Sequence, residues 1–577
     1  MTTGGASSAA ARGAGSEAAA APASARAPAA SHAGADGAAD GVGATAAADA
    51  GGVPPRAGTT GPAAAAAAVA PGPAAAPRAT PPANAPAAYV LGGGVAGLTA
   101  AFGLAERGYR TTLLESRGWL GGRAFSSFDK AAERHLDNGP HAMLGCYRST
   151  RALLRRLGTE GLFQQDRALA MAYRAPGGRT LWLRLSRLPV PLALPLALCT
   201  FGMPWGARLR ALWGMAMSLL PTAKHRTLAA WLARHRQTGA PDAHLWRPLC
   251  RAIMNVEPEQ CAAADFLATL REAFTGSAAR AAFWLPTRPW GEVFGDPAPQ
   301  ALAAAGVAVR CGARVQALEL AAGAGLAAAA AAARTALPTA TTTAPSATSA
   351  SAERSPAATG LARGAQPAAT RRAGDAAPAV AAIGLADGER IVLRPGDVVV
   401  SALPWFALRA ALPSLPEPLG RLDGSPIVSA YVTLAPTAPP LPDDGPVVAL
   451  VDGAPFHFVL RTPGGDPRQC ALLSGGDRSL DGQTVDAIAG RALAQLAAYV
   501  PEAALAGATV RVRKEQRATF VAAVGSDAAR PAPGRLPDGP ANLFVCGDWT
   551  ATGLPATLEG AARSAECAVA AVGSARG

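Results

Sequence analysis

The chain has 577 residues, half of them hydrophobic, and a formal net charge of +13. Of its 53 basic residues 50 are arginines, and no basic run alternates with aromatic residues, so the charge does not indicate nucleic-acid binding. An anionic lipid surface is compatible with it. The eight cysteines form no C-x-x-C pair, so we expect no metal site, no disulfide framework and a cytoplasmic protein with reduced thiols.

Two segments have compositions that do not favour a packed core. Residues 1–88 contain no aromatic residue and consist mainly of Ala, Gly, Pro and Ser. Such a segment buries too little apolar area to offset its ordering entropy, and it lacks the pattern of a secretory signal. We predict a disordered extension at 1–85 and a low-complexity insertion at 321–376. Just before the insertion, residues 307–310 and 313–318 have the pattern of a strand pair.

The first ordered feature is a glycine motif. An apolar run leads into Gly92, Gly94 and Gly97, then a helix pattern over 98–107, and a second apolar run ends at Glu115. In a G-x-G-x-x-G motif the first glycine permits a tight turn, the second lets the backbone approach a diphosphate, and the third lets helix and strand pack closely. The N–H groups at the helix start face the diphosphate, and the acid accepts hydrogen bonds from a ribose. The order of strand, glycine motif, helix, second strand and acid predicts a dinucleotide-binding unit.

Two polar clusters follow this unit. The glycine pair that ends at Gly122, followed by Arg123, can place backbone N–H groups and a guanidinium beside a diphosphate; the alternative is an ordinary turn with an exposed arginine. Asp137 and His141 lie in a second cluster between apolar flanks, where both functional and purely structural interpretations remain open.

Residues 181–220 form a strongly apolar stretch that four prolines interrupt and four arginines flank. The prolines argue against a continuous membrane-spanning helix. Two interpretations remain. The stretch forms either a patch that dips into a membrane interface or the roof of an internal apolar pocket. If it is a membrane patch, charging Leu194 and Leu198 should release the protein from the membrane. Both interpretations predict an apolar substrate.

Near the C-terminus an apolar strand pattern ends at Gly547-Asp548, and a last helix follows Thr557. An acid at the end of a core strand lies where ligands of open α/β sheets bind. The helix start offers a positive dipole end to an anion or an electron-rich ring.

Taken together, these segments resemble the FAD-dependent amine oxidase and polyene desaturase superfamily. Within it the pattern is most similar to the hydroxysqualene dehydroxylases of bacterial hopanoid synthesis, through residues 136–141, 255–258, 517–520 and 547–560. The resemblance covers about 88–320 and 377–572. Pro140 departs from the Gln that is usual in relatives, and the N-terminal extension and the insertion are not features of the family.

The resemblance implies FAD as the cofactor and a set of residues that contact it. From the ADP half to the isoalloxazine ring these are Gly92, Gly94, Gly97, Glu115, Gly122, Arg123, Val315, Asp548, Leu554, Pro555, Ala556 and Thr557. Arg123 would lie by the diphosphate, Val315 would meet the adenine side through its backbone, and Asp548 would bind the ribityl chain. The implied reaction is the reductive dehydroxylation of hydroxysqualene to squalene, with His141 or Asp137 as the proton donor.

The implied fold is α/β, with a Rossmann-like FAD-binding domain and an interleaved α+β substrate domain. The expected FAD-binding segments are 86–165, 289–320, 377–415 and 535–573, and the expected substrate-domain segments are 166–288 and 416–534. Expected partners are an apolar isoprenoid, the inner face of the cytoplasmic membrane through 181–220, and other enzymes of squalene formation.

Three other functions remain open at this point. A carotenoid-type desaturase would use the same cofactor on an apolar chain, with hydride flowing toward the flavin. An amine oxidase would place a lysine near the flavin, on a strand that here spans 426–431 and contains none. A flavin-binding scaffold would gather terpenoid enzymes without turnover.

Overall fold

A computed structural model describes residues 81–222, 226–321, 377–415, 417–451 and 453–574. Apart from residues 81–85 and Ala321, the predicted extension and the predicted insertion lie outside these ranges.

The described residues form 21 strands and twelve α-helices. The strands are β1 (Ala87–Leu91), β2 (Arg110–Leu114), β3 (Ser126–Asp129), β4 (Arg134–Asp137), β5 (Met143–Leu144), β6 (Phe163–Gln165), β7 (Ala170–Arg174), β8 (Thr180–Arg184), β9 (Phe283–Pro286), β10 (Ala308–Arg310), β11 (Val315–Ala321), β12 (Ala379–Leu385), β13 (Arg390–Val392), β14 (Val398–Ser401), β15 (Gly424–Thr433), β16 (Val447–Leu450), β17 (Phe458–Leu460), β18 (Gln469–Gly475), β19 (Thr509–Phe520), β20 (Gly534–Arg535) and β21 (Leu543–Val545). The helices are α1 (Val95–Glu106), α2 (Arg148–Leu157), α3 (Val190–Thr200), α4 (Trp205–Ser218), α5 (Leu228–Arg234), α6 (Arg247–Met254), α7 (Ala263–Phe274), α8 (Ala278–Ala281), α9 (Ala298–Ala304), α10 (Trp405–Ala411), α11 (Val485–Ala497) and α12 (Leu558–Ser574).

The first large sheet has six strands in the order β10-β2-β1-β14-β21-β20. All neighbours are parallel except β20, so the carboxyl ends of the central strands share one edge. The crossover helix α1 is buried along nearly its whole length and packs against α12. A fully covered parallel sheet with buried apolar strands is the architecture of Rossmann-like folds. The predicted fold class is confirmed.

The second large sheet has seven strands in the order β19-β15-β18-β17-β16-β7-β8, and the neighbours are antiparallel except β16 and β7. Its strands come from the two segments predicted for the substrate domain, and residues of α3 to α7 share the largest buried cluster with β7 and β8. The division of the chain into two domains stays a prediction.

The expected strand pair before the insertion is wrong. β10 lies at the edge of the parallel sheet beside β2, whereas β11 pairs with β12 across the insertion. The two strands therefore belong to different sheets, because β10 extends the parallel sheet beside β2 while β11 pairs along its length with β12.

The apolar stretch begins within β8 and continues into two helices, α3 and α4, with residues 201–204 between them; Pro195 lies inside α3. In the described part of the chain, no helix combines the length and the apolar composition needed to cross a bilayer.

Candidate functional site

One cavity of about 850 Å³ is lined by residues from both large sheets. At one end lie the glycine motif and the carboxyl edge of the parallel sheet. At the other end lie apolar side chains from several strands of the second sheet and from α6 and α7. Open α/β sheets bind ligands at the edge where the carboxyl ends of their strands meet, so the cavity joins a nucleotide cleft to an apolar chamber.

The three motif glycines have different reasons to be glycine. Gly92 follows β1 with a φ of +97°, a conformation that side chains rarely adopt. A Cβ on Gly97 would lie 1.8 Å from the carbonyl oxygen of Gly92, so strand and helix could not pack. A Cβ on Gly94 would meet only the Cα of Gly122, at 3.6 Å, and would project where Gly94 lines the cavity. Gly94 therefore leaves room for a ligand, and this cradle fits a diphosphate.

Glu115 is buried at the rim of this cradle, immediately after β2. Its carboxylate accepts hydrogen bonds from the backbone N–H of Gly93 at 2.6 Å, from that of Arg117 at 2.9 Å, and from the Ser116 hydroxyl at 3.0 Å. A carboxylate offers about four acceptor sites. The fixed side chain therefore retains capacity to accept a hydrogen bond from a ribose hydroxyl, as predicted for it.

Arg123 and Asp548 form an ion pair, with 2.6 Å between the guanidinium Nη2 and the carboxylate Oδ1. Arg123 also donates to the carbonyl oxygen of Ala518. Asp548 is buried, and Gly547 before it donates its N–H to the Ser564 hydroxyl at 2.8 Å. The structure thus brings together two motifs from opposite ends of the ordered chain, and Gly122 lines the cavity beside them.

Val315 lies at the first position of β11, where the pairing with β12 contains a bulge. The residue lines the cavity near the nucleotide end, together with Ala313 and Arg314. Bulges interrupt the regular hydrogen-bond ladder and re-aim the backbone, which is compatible with the predicted backbone contact to an adenine.

The predicted flavin-contacting residues Leu554, Pro555, Ala556 and Thr557 all line the cavity. The Thr557 hydroxyl accepts the Gly560 N–H at 3.0 Å in the first turn of α12. Hydroxyl caps of this kind satisfy N–H groups that have no partner within the helix. The dipole of a long buried helix therefore points at this end of the cavity.

Arg530 fixes the loop that precedes α12, although no sequence pattern predicts this role. Its buried guanidinium donates to the carbonyl oxygens of Thr550 at 2.6 Å, Leu554 at 2.8 Å and Trp549 at 3.3 Å. It also lies 4.4 Å from the ring centroid of Phe520. In a chain with so many arginines, an isolated one carries no pattern that marks it as buried.

His141 lines the cavity and packs edge-on against Trp290, with ring centroids 5.5 Å apart. Its Nδ1 has no hydrogen-bond partner among the described residues. Burial, and to a lesser degree the positive charge of Arg123, lowers the pKa of His141 to about 4. The imidazole is therefore neutral at neutral pH, so it can donate or accept a hydrogen bond but carries no imidazolium proton.

Asp137 is not among the described residues that line the cavity. Its carboxylate accepts hydrogen bonds from the Ser126 hydroxyl at 2.6 Å and from the Trp290 N–H at 2.9 Å. Burial raises its pKa, while these hydrogen bonds act in the opposite direction. The contacts of Asp137 are those of a structural residue that holds the segment of Trp290 against β3 and β4.

Polar residues that the sequence analysis missed lie in the apolar half of the cavity. His457 at the start of β17 has an Nδ1 without a partner in the described ranges, and burial, reinforced by the nearby Arg251, lowers its pKa to about 4. Arg251 is itself bonded to Glu257 at 2.7 Å. A lone histidine within the apolar run 455–460 was the available signal for this position.

Most other side chains in this half are aliphatic or aromatic. They include Leu169, Met171, Leu249, Ile253, Phe274, Phe283, Leu403, Phe406, Ile427, Val447, Phe458, Leu460 and Leu473. Such a wall favours an apolar ligand and excludes water.

The family model described as flavin containing amine oxidoreductase matches residues 95–369 and 369–573. The chain belongs to this family. It is an FAD-dependent oxidoreductase, and the cradle at Gly94, the fixed Glu115 and the Arg123–Asp548 pair are where the FAD would be held.

Relatives of known activity resemble this flavoprotein in sequence, and solved structures share its fold. It is 26% identical over 483 residues to hydroxysqualene dehydroxylase from Rhodopseudomonas palustris, covering 82% of this chain and 96% of the relative. A zeta-carotene desaturase from Capsicum annuum is 34% identical over only 71 residues, 12% of each chain. The crystal structure of an oxidoreductase from Methanosarcina mazei has a similar fold, with a TM-score of 0.57 at 14% identity over 83% of this chain and 99% of that one.

Proposed function

We propose that this flavoenzyme removes the hydroxyl group of hydroxysqualene by reduction, giving squalene and water. The observation that carries the proposal is the continuity of the flavin cleft with a chamber whose walls are mainly hydrocarbon. The similarity to a hydroxysqualene dehydroxylase along nearly the whole length of that relative supports the same reaction.

The overall reaction breaks one C–O bond and forms one C–H bond at the same carbon. The departing hydroxyl takes up a proton and leaves as water, and the carbon receives a hydride equivalent. FAD, when bound in its reduced form, supplies the two electrons and that hydride, and a separate two-electron reductant must reduce it again. The protein has to hold the chain in place, keep water out and tolerate positive charge at the reacting carbon.

The chamber is suited to these tasks. Its aliphatic side chains exclude water, which would otherwise add to an electron-poor carbon. Phe274, Phe283 and Phe458 line it, and an aromatic face attracts a cation within about 6 Å of its centroid. These aromatic faces would thus stabilise the allylic cation expected from loss of the hydroxyl.

The proton donor remains a prediction. With pKa values of about 4, neither His141 nor His457 carries an imidazolium proton at neutral pH. Each neutral ring can still donate one N–H hydrogen bond to the departing hydroxyl. Asp137 does not line the cavity, and its carboxylate is engaged by Ser126 and Trp290, which argues against a direct part for that residue.

Two of the alternatives receive less support. A carotenoid-type desaturase shares the cofactor and the apolar chamber, yet the similarity to the pepper desaturase covers only 12% of the chain. An amine oxidase would be expected to have a lysine near the flavin. Of the two lysines in the described ranges, Lys514 bonds to the Gln483 carbonyl oxygen at 2.9 Å, and neither lines the cavity.

Anaerobic turnover tests the proposal. Purified, FAD-loaded protein is reduced chemically and incubated with hydroxysqualene, and the products are identified by mass spectrometry. We expect squalene in an amount equal to the reduced flavin that is oxidised. Phytoene added to the oxidised enzyme is the comparison. Desaturated product from phytoene, with no squalene from hydroxysqualene, would contradict the proposal, and absence of both products would favour a non-catalytic scaffold.

A further inference from the structure

The outer faces of α3 and α4, with the residues just beside them, are apolar and exposed. Of the 14 large hydrophobic side chains that are strongly exposed in the described residues, eight lie here, each between 48% and 66% exposed. We call these eight the α3–α4 surface. They are Leu188, Leu192, Leu196, Trp205, Leu209, Trp213, Leu219 and Leu220. Large exposed apolar patches commonly mark interaction sites, and α3 and α4, which carry most of these side chains, pack against each other.

The inner faces of the same helices already form core. Val190, Ala193 and Ala197 of α3 are buried, as are Ala207 and Ala211 of α4. Because both faces of α3 are apolar, the outer face is not explained by packing within the chain. None of the described residues of 181–220 lines the large cavity, which gives no support to the interpretation of this stretch as a pocket roof.

The charge around the α3–α4 surface has one sign. From residue 167 to residue 241 the sequence contains ten arginines, one lysine and no aspartate or glutamate. Arg184 lies over the Trp182 ring at 4.0 Å and Arg208 over the Trp205 ring at 4.9 Å, so cations sit beside the apolar side chains. One of these arginines, Arg174, is paired with Asp444. An apolar surface bordered by cations such as Arg184 and Arg208 complements an anionic lipid bilayer.

A second, smaller cavity of about 210 Å³ lies at the end of α4. Its polar lining includes Arg226, Arg234 and His235, and its apolar lining includes Met217 and Leu220 of the same region. Burial, together with the charges of Arg234 and Arg226, lowers the pKa of His235 in the same lining. Two arginines that line one cavity beside an apolar surface suit a phosphate whose acyl chains continue along α4.

We propose that the α3–α4 surface docks the protein on an anionic bilayer, with one lipid phosphate held between Arg226 and Arg234. Docking would place next to the membrane an enzyme whose proposed substrate is almost insoluble in water. Leu169 and Met171 belong both to the cavity wall and to the buried cluster beneath α3. The docked surface therefore lies against the same core that borders the substrate chamber.

Binding is measured on the full-length, FAD-loaded protein by co-sedimentation with vesicles of phosphatidylcholine, with and without 30% phosphatidylglycerol, so it does not depend on turnover. We expect binding to the anionic vesicles that weakens as salt is raised. Leu192→Glu combined with Leu196→Glu should weaken it at least tenfold. The sequence-based choice of Leu194 and Leu198 is unsuitable, because both side chains are buried and their charging would test folding.

Matched controls separate docking from general effects. Val392→Glu combined with Val485→Glu charges two exposed apolar positions elsewhere and should leave binding unchanged. Arg226→Gln combined with Arg234→Gln should weaken binding to anionic vesicles by roughly fivefold for each charge, without changing residual binding to neutral vesicles. Equal flavin content in all variants confirms that they fold.

A second readout does not depend on charged substitutions. Brominated lipid should quench tryptophan fluorescence in the wild type, and Trp205→Phe combined with Trp213→Phe should remove most of that quenching. Unchanged vesicle binding of the Leu192 and Leu196 variant would overturn the proposal, as would quenching that survives the Trp205 and Trp213 substitutions. Failure of the wild type to bind vesicles while it self-associates through this surface would assign the surface to a second copy of the chain instead.

Discussion

Single residues in the flavin cleft divide into those that the polypeptide needs and those that the ligand needs. Gly97 belongs to the first group, because a Cβ there would overlap the Gly92 carbonyl oxygen. Gly94 belongs to the second, because the protein itself leaves space around it. A motif that looks uniform in sequence therefore has two separable functions.

This difference gives a direct prediction. Gly94→Val should fold but purify without yellow flavin, because the side chain would occupy the approach of the diphosphate. Gly97→Ala should lose folded protein as well as flavin. Flavin absorbance per protein and far-UV circular dichroism distinguish the two outcomes. Full flavin occupancy in Gly94→Val would remove the basis for placing the diphosphate there.

The two cavity histidines predict how stability depends on pH. An unfolded histidine takes up a proton near pH 6.5, whereas folded His141 and His457 remain neutral down to about pH 4. The unfolded state therefore binds more protons between these values, so the free energy of unfolding should fall as the pH is lowered from 6.5 to 4. Each histidine contributes at most about 1.4 kcal/mol per pH unit.

Thermal unfolding of the FAD-loaded protein between pH 4 and pH 7 measures this effect. Replacing both His141 and His457 with Asn should flatten the dependence of Tm on pH, whatever the change in Tm at pH 7. A slope that stays as steep as in the wild type would mean that other groups are responsible.

At the scale of elements, the cofactor end of the cavity depends on how the loop before α12 is held. This loop carries Asp548 and residues 554–557, and three of its carbonyl oxygens accept hydrogen bonds from Arg530. On the other side of the loop, Glu559 accepts the N–H groups of Ser149 at 3.2 Å and Thr150 at 3.0 Å at the start of α2. Glu559, at the end of the C-terminal motif, thus links α12 to the start of α2.

Arg530→Met should destabilise the protein by about 1–3 kcal/mol, because it leaves buried carbonyl oxygens without donors. It should also weaken FAD binding, since the freed loop lines the cavity. Chemical unfolding and a fluorescence titration of apoprotein with FAD provide the measurements. Arg535→Met is the control: Arg535 also donates to a backbone carbonyl oxygen but is exposed. Equal effects of the two substitutions would show that burial of Arg530 is unimportant.

At the scale of the whole molecule, the pairing of the described strands includes no residue from 1–80 or 322–376. β1 begins at Ala87, and Arg110 bonds to the carbonyl oxygens of Ala85 and Pro86 just before it. β11 and β12 pair through to Ala321 opposite Ala379. Directly opposed residues of antiparallel strands lie about 5 Å apart, a distance that a short turn spans.

We therefore expect that deleting residues 2–80, or replacing 322–376 by a four-residue glycine-rich turn, leaves flavin content and turnover nearly unchanged. Both variants are compared with the wild type by flavin absorbance, thermal unfolding and squalene formation. A large loss of folded, flavin-bound protein in either variant would show that the removed segment contributes to the fold.

The sequence alone determined the features that depend on local order. The βαβ unit follows from three glycines and an acid at fixed spacing, and the apolar character of 181–220 follows from composition. The structure decided what depends on distant contacts. It paired Arg123 with Asp548, placed β10 and β11 in different sheets, and put His141 but not Asp137 in the lining of the cavity.

The same division explains the residues that sequence reasoning missed. Arg530 and His457 belong to no sequence motif with a fixed spacing. The residues around them come from strands and loops that are far apart in the chain. Leu192 and Leu194 are identical in sequence and two positions apart on one helix, yet one is exposed and the other is buried. An all-apolar helix has no period from which its outer face can be read, so only packing against the rest of the chain decided which side meets the solvent.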